Sequence, residues 1–281
     1  MPLRLSILGG LMNRTTALIA GSCLACSFSQ AVKAVPVVGP DSFGYIAETT
    51  TYDLRDVSAT GINLGLDNSD DATALAPIGF SFPFYGLTYA QVEISTNGFI
   101  SFTPTGSSFC CSGDSIPDAG RANNFIAGWW QDLDPSEGGI IRYQTLGSVG
   151  NRELIVGYYQ VRDNDDPLNS VNTMELILHE TGQIELQYAQ VQFEDVDNKV
   201  VGIENLNGTD GLELLFMSSA APFPNGHIVF QNQGFLIRRI PEPATCLLAT
   251  TLLTGLALRQ RRWIKPSTHG CTMSSQALPR I

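Results

Sequence analysis

Charged side chains are scarce in this chain of 281 residues, and basic ones are scarcer than acidic ones. Charged residues make up 15% of the composition, against about 25% in an average soluble protein. The chain has 16 Lys and Arg but 27 Asp and Glu, which gives a formal net charge of −11. Because nucleic-acid binding needs a basic surface that neutralises phosphates, this balance argues against a nucleic-acid partner.

Histidines are few, and the common catalytic motifs are missing. Only three histidines occur, and because His269 lies in the C-terminal tail, a serine hydrolase would have to use His179 or His227. His179 is predicted to lie on the outward face at a strand end, where it would be solvated. Ser112-Gly-Asp-Ser115 lacks the continuation expected of a hydrolase, and no Gly-x-Ser-x-Gly turn is present. The sequence also lacks a phosphate-binding glycine loop, a dinucleotide fingerprint and zinc-ligand spacing. We therefore predict that the protein is not an enzyme and has no catalytic residues.

The few basic residues are unevenly distributed along the chain. Residues 35–240 hold 26 of the 27 acidic residues but only 8 of the 16 basic ones, so this stretch carries −18. The two ends carry +7 and are rich in apolar residues. An acidic middle between basic, apolar ends suggests an exported domain between two membrane-directed segments.

Residues 1–34 have the pattern of a secretory signal peptide. Arg4 and Arg14 precede an apolar run at residues 16–28, and small residues follow at Ala31 and Ala34, where cleavage is predicted. The run is too short for a membrane-spanning helix of about 20 residues. Met12 is an alternative start to Met1, and a helix of the domain core is the alternative to a signal peptide.

The C-terminal segment combines three elements in a fixed order. Pro241-Glu242-Pro243 is followed by 15 uncharged residues at 244–258 and then by Arg259, Arg261 and Arg262. As a helix, residues 244–258 would span about 22 Å, somewhat less than the hydrocarbon core of about 30 Å. Snorkelling arginines and local thinning can close this gap, and the arginine cluster would remain on the cytoplasmic side.

These three elements at residues 241–262 closely resemble the PEP-CTERM sorting signal of Gram-negative bacteria. The resemblance implies export, transient anchoring in the inner membrane by helix 244–258, and processing near Pro241-Glu242-Pro243 by an exosortase-type enzyme. It also implies an association with exopolysaccharide or biofilm, at the cell surface or outside the cell. The chain departs from the family by the 19 residues 263–281, which we predict to be a disordered tail, and whether the signal works with this tail stays open.

Only two of the six cysteines belong to the exported domain. The other four lie in the predicted signal peptide, the apolar helix and the tail, which leaves Cys110 and Cys111. Adjacent cysteines are closer than the usual disulfide geometry prefers. They could pair with each other, pair with another chain or stay reduced.

The middle of the chain has the pattern of an all-β domain. Short apolar or alternating runs are separated by Gly, Pro, Asn and Asp, and no ten-residue helical period occurs before Ala244. In Thr173–His179, Met174, Leu176 and Leu178 face one way, and Gly182 supplies the turn into the next strand. We predict a β-sandwich of mostly antiparallel strands, flanked by an N-terminal signal helix and a C-terminal transmembrane helix. Ten strands are predicted: Ile78–Phe84, Gln91–Ser95, Phe99–Thr103, Phe125–Trp130, Ile140–Thr145, Glu153–Val161, Thr173–His179, Ile184–Ala189, Val200–Glu204 and His227–Phe230.

A second resemblance covers about residues 78–205. Phe82-Pro-Phe-Tyr-Gly86, Val92–Phe102, Phe125–Asp134 and Gly139–Tyr143 follow one another in an order similar to the NIDO domain of nidogen-like matrix and surface proteins. The resemblance implies an extracellular adhesion or matrix role and no known catalysis. Asn97-Gly98 within it predicts a tight type I′ turn between two strands.

The best local candidates for a binding site follow the predicted strand Phe125–Trp130. Asp132 and Asp134 could form the carboxylate pair of a glycosidase, or they could bind calcium together with Glu137. The acidic stretches at residues 67–71 and 163–166 are rival calcium loops, and none of them matches the EF-hand pattern. Trp129 and Trp130 could instead offer a sugar platform in a lectin-like domain. We predict no cofactor, and a bound calcium ion is the alternative.

We therefore predict a non-enzymatic exported protein of the cell surface or extracellular polysaccharide. A secreted glycan hydrolase and a lectin-like domain are the alternatives. A domain carrying −18 repels anionic polysaccharide at low salt, so binding such a polymer would need bridging divalent cations.

Overall fold

The computed structural model describes residues 36–193, 197–219, 223–224 and 226–240. The predicted signal peptide, the sorting signal with its helix 244–258, and the tail 263–281 lie outside these residues. Within the described ranges there is no helix with the length and hydropathy that a membrane crossing requires. Two 3-10 helices of three residues each, Leu66–Asn68 and Pro135–Glu137, are the only helices described.

The described chain forms two sheets in which all neighbouring strands are antiparallel. The large sheet has the order β1-β2-β14-β11-β10-β9-β7, with β8 also pairing with β9, and the small sheet has the order β13-β12-β6-β5-β4-β3. The strands of the large sheet are β1 (Pro36–Val38), β2 (Tyr45–Thr50), β7 (Leu133–Asp134), β8 (Ile140–Leu146), β9 (Glu153–Asp163), β10 (Asn172–His179), β11 (Ile184–Phe193) and β14 (His227–Arg239). Those of the small sheet are β3 (Thr73–Phe84), β4 (Leu87–Ser95), β5 (Phe99–Ser101), β6 (Phe125–Trp130), β12 (Lys199–Glu204) and β13 (Gly211–Met217).

The core lies between the inner faces of the two sheets, as in a β-sandwich. Along β3 every second side chain is buried from Ala76 to Phe84, which is the period that a strand with one buried face produces. Two buried tyrosines also cross the core: the Tyr188 hydroxyl donates to the Gly128 carbonyl at 2.7 Å, and the Tyr158 hydroxyl donates to the Ser95 carbonyl at 2.7 Å. The predicted all-β sandwich is confirmed.

Both sheets are also covered on their outer faces. Val57, in the segment that precedes the first 3-10 helix, packs on Ile155, Tyr159 and Ile177 of the large sheet. Glu175 of β10 is 1% exposed and accepts the Arg55 and Asp56 backbone N–H groups at 2.8 Å each, which fixes this segment. Covered outer faces explain why β6, β9 and β10 are buried along nearly their whole length.

Two local predictions are corrected by the structure. A type I′ turn needs positive φ at both central residues, but only Gly98 has one, at +78°, so Asn97-Gly98 forms a different turn. His179, expected to be solvated, is largely buried, with its Nε2 3.2 Å from a Glu185 carboxylate oxygen and its Nδ1 3.7 Å from Glu153. The outer cover of the large sheet is the physical reason for this burial.

Candidate functional site

Strand pairing brings three loops together at one end of the sandwich. Antiparallel pairing of β6 with β12 places the residues after Trp130 beside those before Val200. Pairing of β7 with β9 places the same residues beside the end of β9, where Leu133 faces Asp163. The Asn164 N–H donates to the Asp132 carbonyl at 2.9 Å and closes this junction. The β6–β7, β9–β10 and β11–β12 connections therefore meet around Asp132.

Three carboxylates converge at this junction. Asp132, Asp165 and Asp197 each place an oxygen so that the three lie within 4.8 Å of one another, and we call these residues the three-aspartate cluster. Asp132 is buried, Asp165 is exposed and Asp197 is partly exposed. One side of the cluster therefore faces the protein and the other faces solvent.

The Asp132 carboxylate is the buried member of the cluster. It is 3% exposed, and its Oδ2 accepts a hydrogen bond from Asn164 Nδ2 at 3.0 Å. Its Oδ1 is also buried, and no donor in the described part of the chain reaches it. An unpaired buried acceptor is costly, because it has lost its hydration without gaining a protein partner.

Burial and like charges both disfavour ionisation of Asp132. Loss of hydration, which is the larger cause, and the nearby carboxylates of Asp70, Asp71 and Asp197 together raise the pKa of Asp132 to about 7. The hydrogen bond from Asn164 acts in the opposite direction. A bound cation would remove this conflict, because it would stabilise the ionised carboxylate.

A second group of potential ligands lies next to the first. It contains Asp71, Cys110, Cys111 and Asp132. Cys110 and Cys111 are paired with each other in the structure, which is the first of the three alternatives for these cysteines. Because metals bind the thiolate form of cysteine, only the carboxylates of this group are available as ligands in the oxidised protein. The oxygen-only cluster is therefore the better candidate for a cation site.

The other predicted calcium ligands point elsewhere. Asp134 is 4% exposed, and its Oδ1 accepts the Ser136 N–H at 2.7 Å, which caps the second 3-10 helix. Glu137 is exposed on that helix. Neither residue belongs to the two groups around Asp132 that the described residues form. Of Asp132, Asp134 and Glu137, Asp132 is thus the one that the structure brings into a cluster.

Trp129 and Trp130 are buried, at 0% and 1% exposure. Trp129 lies in the main core, whereas the Trp130 ring packs 4.7 Å from that of Phe99 and 5.2 Å from that of Phe125, centre to centre, on the covered outer face. Both faces of β6 are therefore closed. The two rings have no exposed face on which a sugar could stack.

A groove of about 540 Å³ opens on the outer face of the large sheet. It is lined by Asp56, Tyr159 and Gln160, among others. The Tyr159 hydroxyl is already engaged, since it donates to Glu175 at 2.6 Å and accepts the Val57 N–H at 2.8 Å. Asp56 is the only carboxylate among the described lining residues, so the groove lacks the acid pair that a glycosidase needs.

Sequence reasoning missed Asp197 and placed Asp165 only in a rival loop. Asp197 lies immediately before β12, and its position beside Asp132 depends on the pairing of β12 with β6. Two acidic loops that look independent in the sequence thus contribute to one cluster. Knowledge of the pairing of β12 with β6 would have been needed to predict that Asp197 lies beside Asp132.

The fold and this loop arrangement define an antiparallel β-sandwich module whose acidic loops meet at one end. The chain belongs to the NIDO-related family, whose model matches residues 43–231. The match extends beyond the predicted 78–205 in both directions and includes β2 and β13. No significant match was found among curated proteins or among solved structures. Family membership indicates an extracellular β-domain.

Proposed function

We propose that this protein is a non-enzymatic component of the cell surface or extracellular matrix, exported by its N-terminal signal peptide. The observation that carries the proposal is the NIDO-related domain at residues 43–231. Its setting supports the same conclusion, because the strongly acidic stretch 35–240 is enclosed by two basic, apolar ends. In this proposal the sandwich acts by presenting loops for binding.

Sorting through the C-terminal segment is the second part of the proposal. Residues 244–258 anchor the exported domain in the inner membrane, and Arg259, Arg261 and Arg262 remain on its cytoplasmic side. An exosortase-type enzyme then acts near Pro241-Glu242-Pro243 and releases the domain toward the exopolysaccharide or biofilm. The order of these elements in the sequence supports this route.

Cell fractionation tests both parts of the proposal. The full chain is expressed in a Gram-negative host that has an exosortase, with an epitope inserted beside Val149, which is 82% exposed in a turn. We expect the shortened, tagged domain at the cell surface or in the medium. Recovery of the domain in the cytoplasm would overturn the proposal of export.

A sorting variant tests the C-terminal signal separately. Replacing Pro241, Glu242 and Pro243 by alanine should leave the full-length chain in the membrane fraction, as should deletion of the exosortase gene. The matched control replaces Pro104, an exposed proline in a loop, and Glu137, an exposed glutamate at the end of the second 3-10 helix, and should be sorted normally. Equal processing of the sorting variant and the control would refute the sorting route while leaving export intact.

A further inference from the structure

We infer that Asp132, Asp165 and Asp197 bind one calcium ion, which joins three loops at one end of the sandwich. The oxygens of these side chains lie within 4.8 Å of one another. A second, independent observation is the buried Oδ1 of Asp132, which no donor in the described ranges satisfies. A cation at the cluster would give this atom its missing partner.

The charges around Asp132 favour a cation over any other ligand. The charged groups that act most strongly on Asp132 are the carboxylates of Asp70, Asp71 and Asp197, all of them negative. Three converging carboxylates repel one another, and a positive ion bound between them would relieve that repulsion. An anion or a neutral sugar would not compensate the charge.

The donor set selects calcium among the common metal ions. Zinc prefers nitrogen and sulfur ligands, but the cluster offers only oxygens, and the neighbouring cysteines are bonded to each other. Magnesium demands a near-ideal octahedron, whereas calcium accepts six to eight oxygens in flexible arrangements. Because Asp165 and Asp197 are open to solvent, water can complete the coordination shell.

The position of the cluster gives the ion a structural role. Asp132 and Asp197 lie next to β6 and β12 of the small sheet, whereas Asp165 follows β9 of the large sheet. One ion would therefore connect the two sheets at this end of the sandwich. The inference does not depend on the sorting route, and it would make the stability of the domain calcium-dependent outside the cell.

Thermal unfolding with defined metals tests the inference. The full chain is purified in mild detergent, stripped with a chelator and titrated with CaCl₂ or MgCl₂ up to about 10 mM, which exceeds the Kd range of extracellular calcium modules. We expect calcium to raise the Tm by about 3 °C or more and to give one binding event in calorimetry. No heat and no Tm shift would overturn the inference, and an equal response to magnesium would overturn the assignment to calcium.

Variants identify the ligands. Asp165→Asn and Asp197→Asn should each weaken calcium binding at least about tenfold, as expected when an ionised ligand is lost. Asp132→Asn should abolish the calcium response and yet raise the Tm in chelator, because it removes a buried charge. Glu137→Gln, on an exposed acid outside the cluster and five residues after Asp132 in the sequence, is the matched control and should respond as the wild type does. If Glu137→Gln lost the response and the cluster variants kept it, the assigned ligands would be wrong.

Discussion

Glu204 should make the stability of the domain fall as the pH rises from about 4.5 to about 7. Its side chain is 1% exposed at the end of β12, where its Oε2 accepts the Asp118 N–H at 2.6 Å. Its Oε1 is buried, and none of the described residues donates a hydrogen bond to it. Burial, as the largest cause, together with the carboxylates of Asp118 and Asp114, raises the pKa of Glu204 to about 7.

The magnitude follows from the difference between the folded and unfolded pKa values. The ordinary value is 4.5 and the folded value is about 7, which at about 1.4 kcal/mol per pKa unit corresponds to at most about 3.5 kcal/mol. Between these values the folded state binds more protons than the unfolded state, so stability decreases as the pH rises. Below about pH 4.5 the glutamate is protonated in both states, and the penalty disappears.

Glu204→Gln isolates this effect, because the amide oxygen can still accept the Asp118 N–H while the charge is removed. Urea unfolding at several pH values between about 4.5 and 7.5 gives the free energy of both proteins. The variant should match the wild type near pH 4.5 and exceed it by up to about 3 kcal/mol near pH 7.5. Glu213→Gln is the matched control, since Glu213 also accepts a backbone N–H in this region, from Ile116 at 2.8 Å. A difference between Glu204→Gln and wild type that stays constant with pH would refute the reasoning.

Two further predictions concern packing and loop anchoring. A Cβ at Gly128 would lie 2.7 Å from Leu176 Cδ1, so Gly128→Ala should destabilise the sandwich by about 1–3 kcal/mol. In a double-mutant cycle measured by urea unfolding, adding Leu176→Val should restore part of this stability. Strictly additive effects of the two substitutions on the free energy of unfolding would contradict the contact. Glu93 accepts the Thr105 and Gly106 N–H groups at 2.9 and 2.8 Å, which anchors the loop after β5. Glu93→Gln loses one of these acceptors, so it should lower the free energy of unfolding by about 1–3 kcal/mol and speed protease cleavage in this loop. An unchanged cleavage rate would contradict the anchoring role of Glu93.

Much of the sandwich could be predicted because its core strands obey local rules. All ten predicted strands occur, and Phe125–Trp130 has the predicted bounds, since each is an apolar or alternating run between turn residues. β2 was missed because Glu48 and two threonines obscure its pattern. The structure buries Glu48 to 6% exposure through an ion pair with Arg238 at 2.7 Å. That partner lies 190 residues away, so no local pattern reports the burial.

The candidate site was only partly predictable, because it depends on which loops meet. Asp132 and Asp134 look equivalent in the sequence, two residues apart after a buried strand. The backbone after Asp134 begins a 3-10 helix at Pro135, and the Asp134 carboxylate caps that helix. Asp132 instead faces Asp165 and Asp197, which arrive through the pairing of β7 with β9 and of β6 with β12. Because a shift of one residue in either register would turn side chains to the other face, the cluster is a property of strand register and not of any single acidic loop.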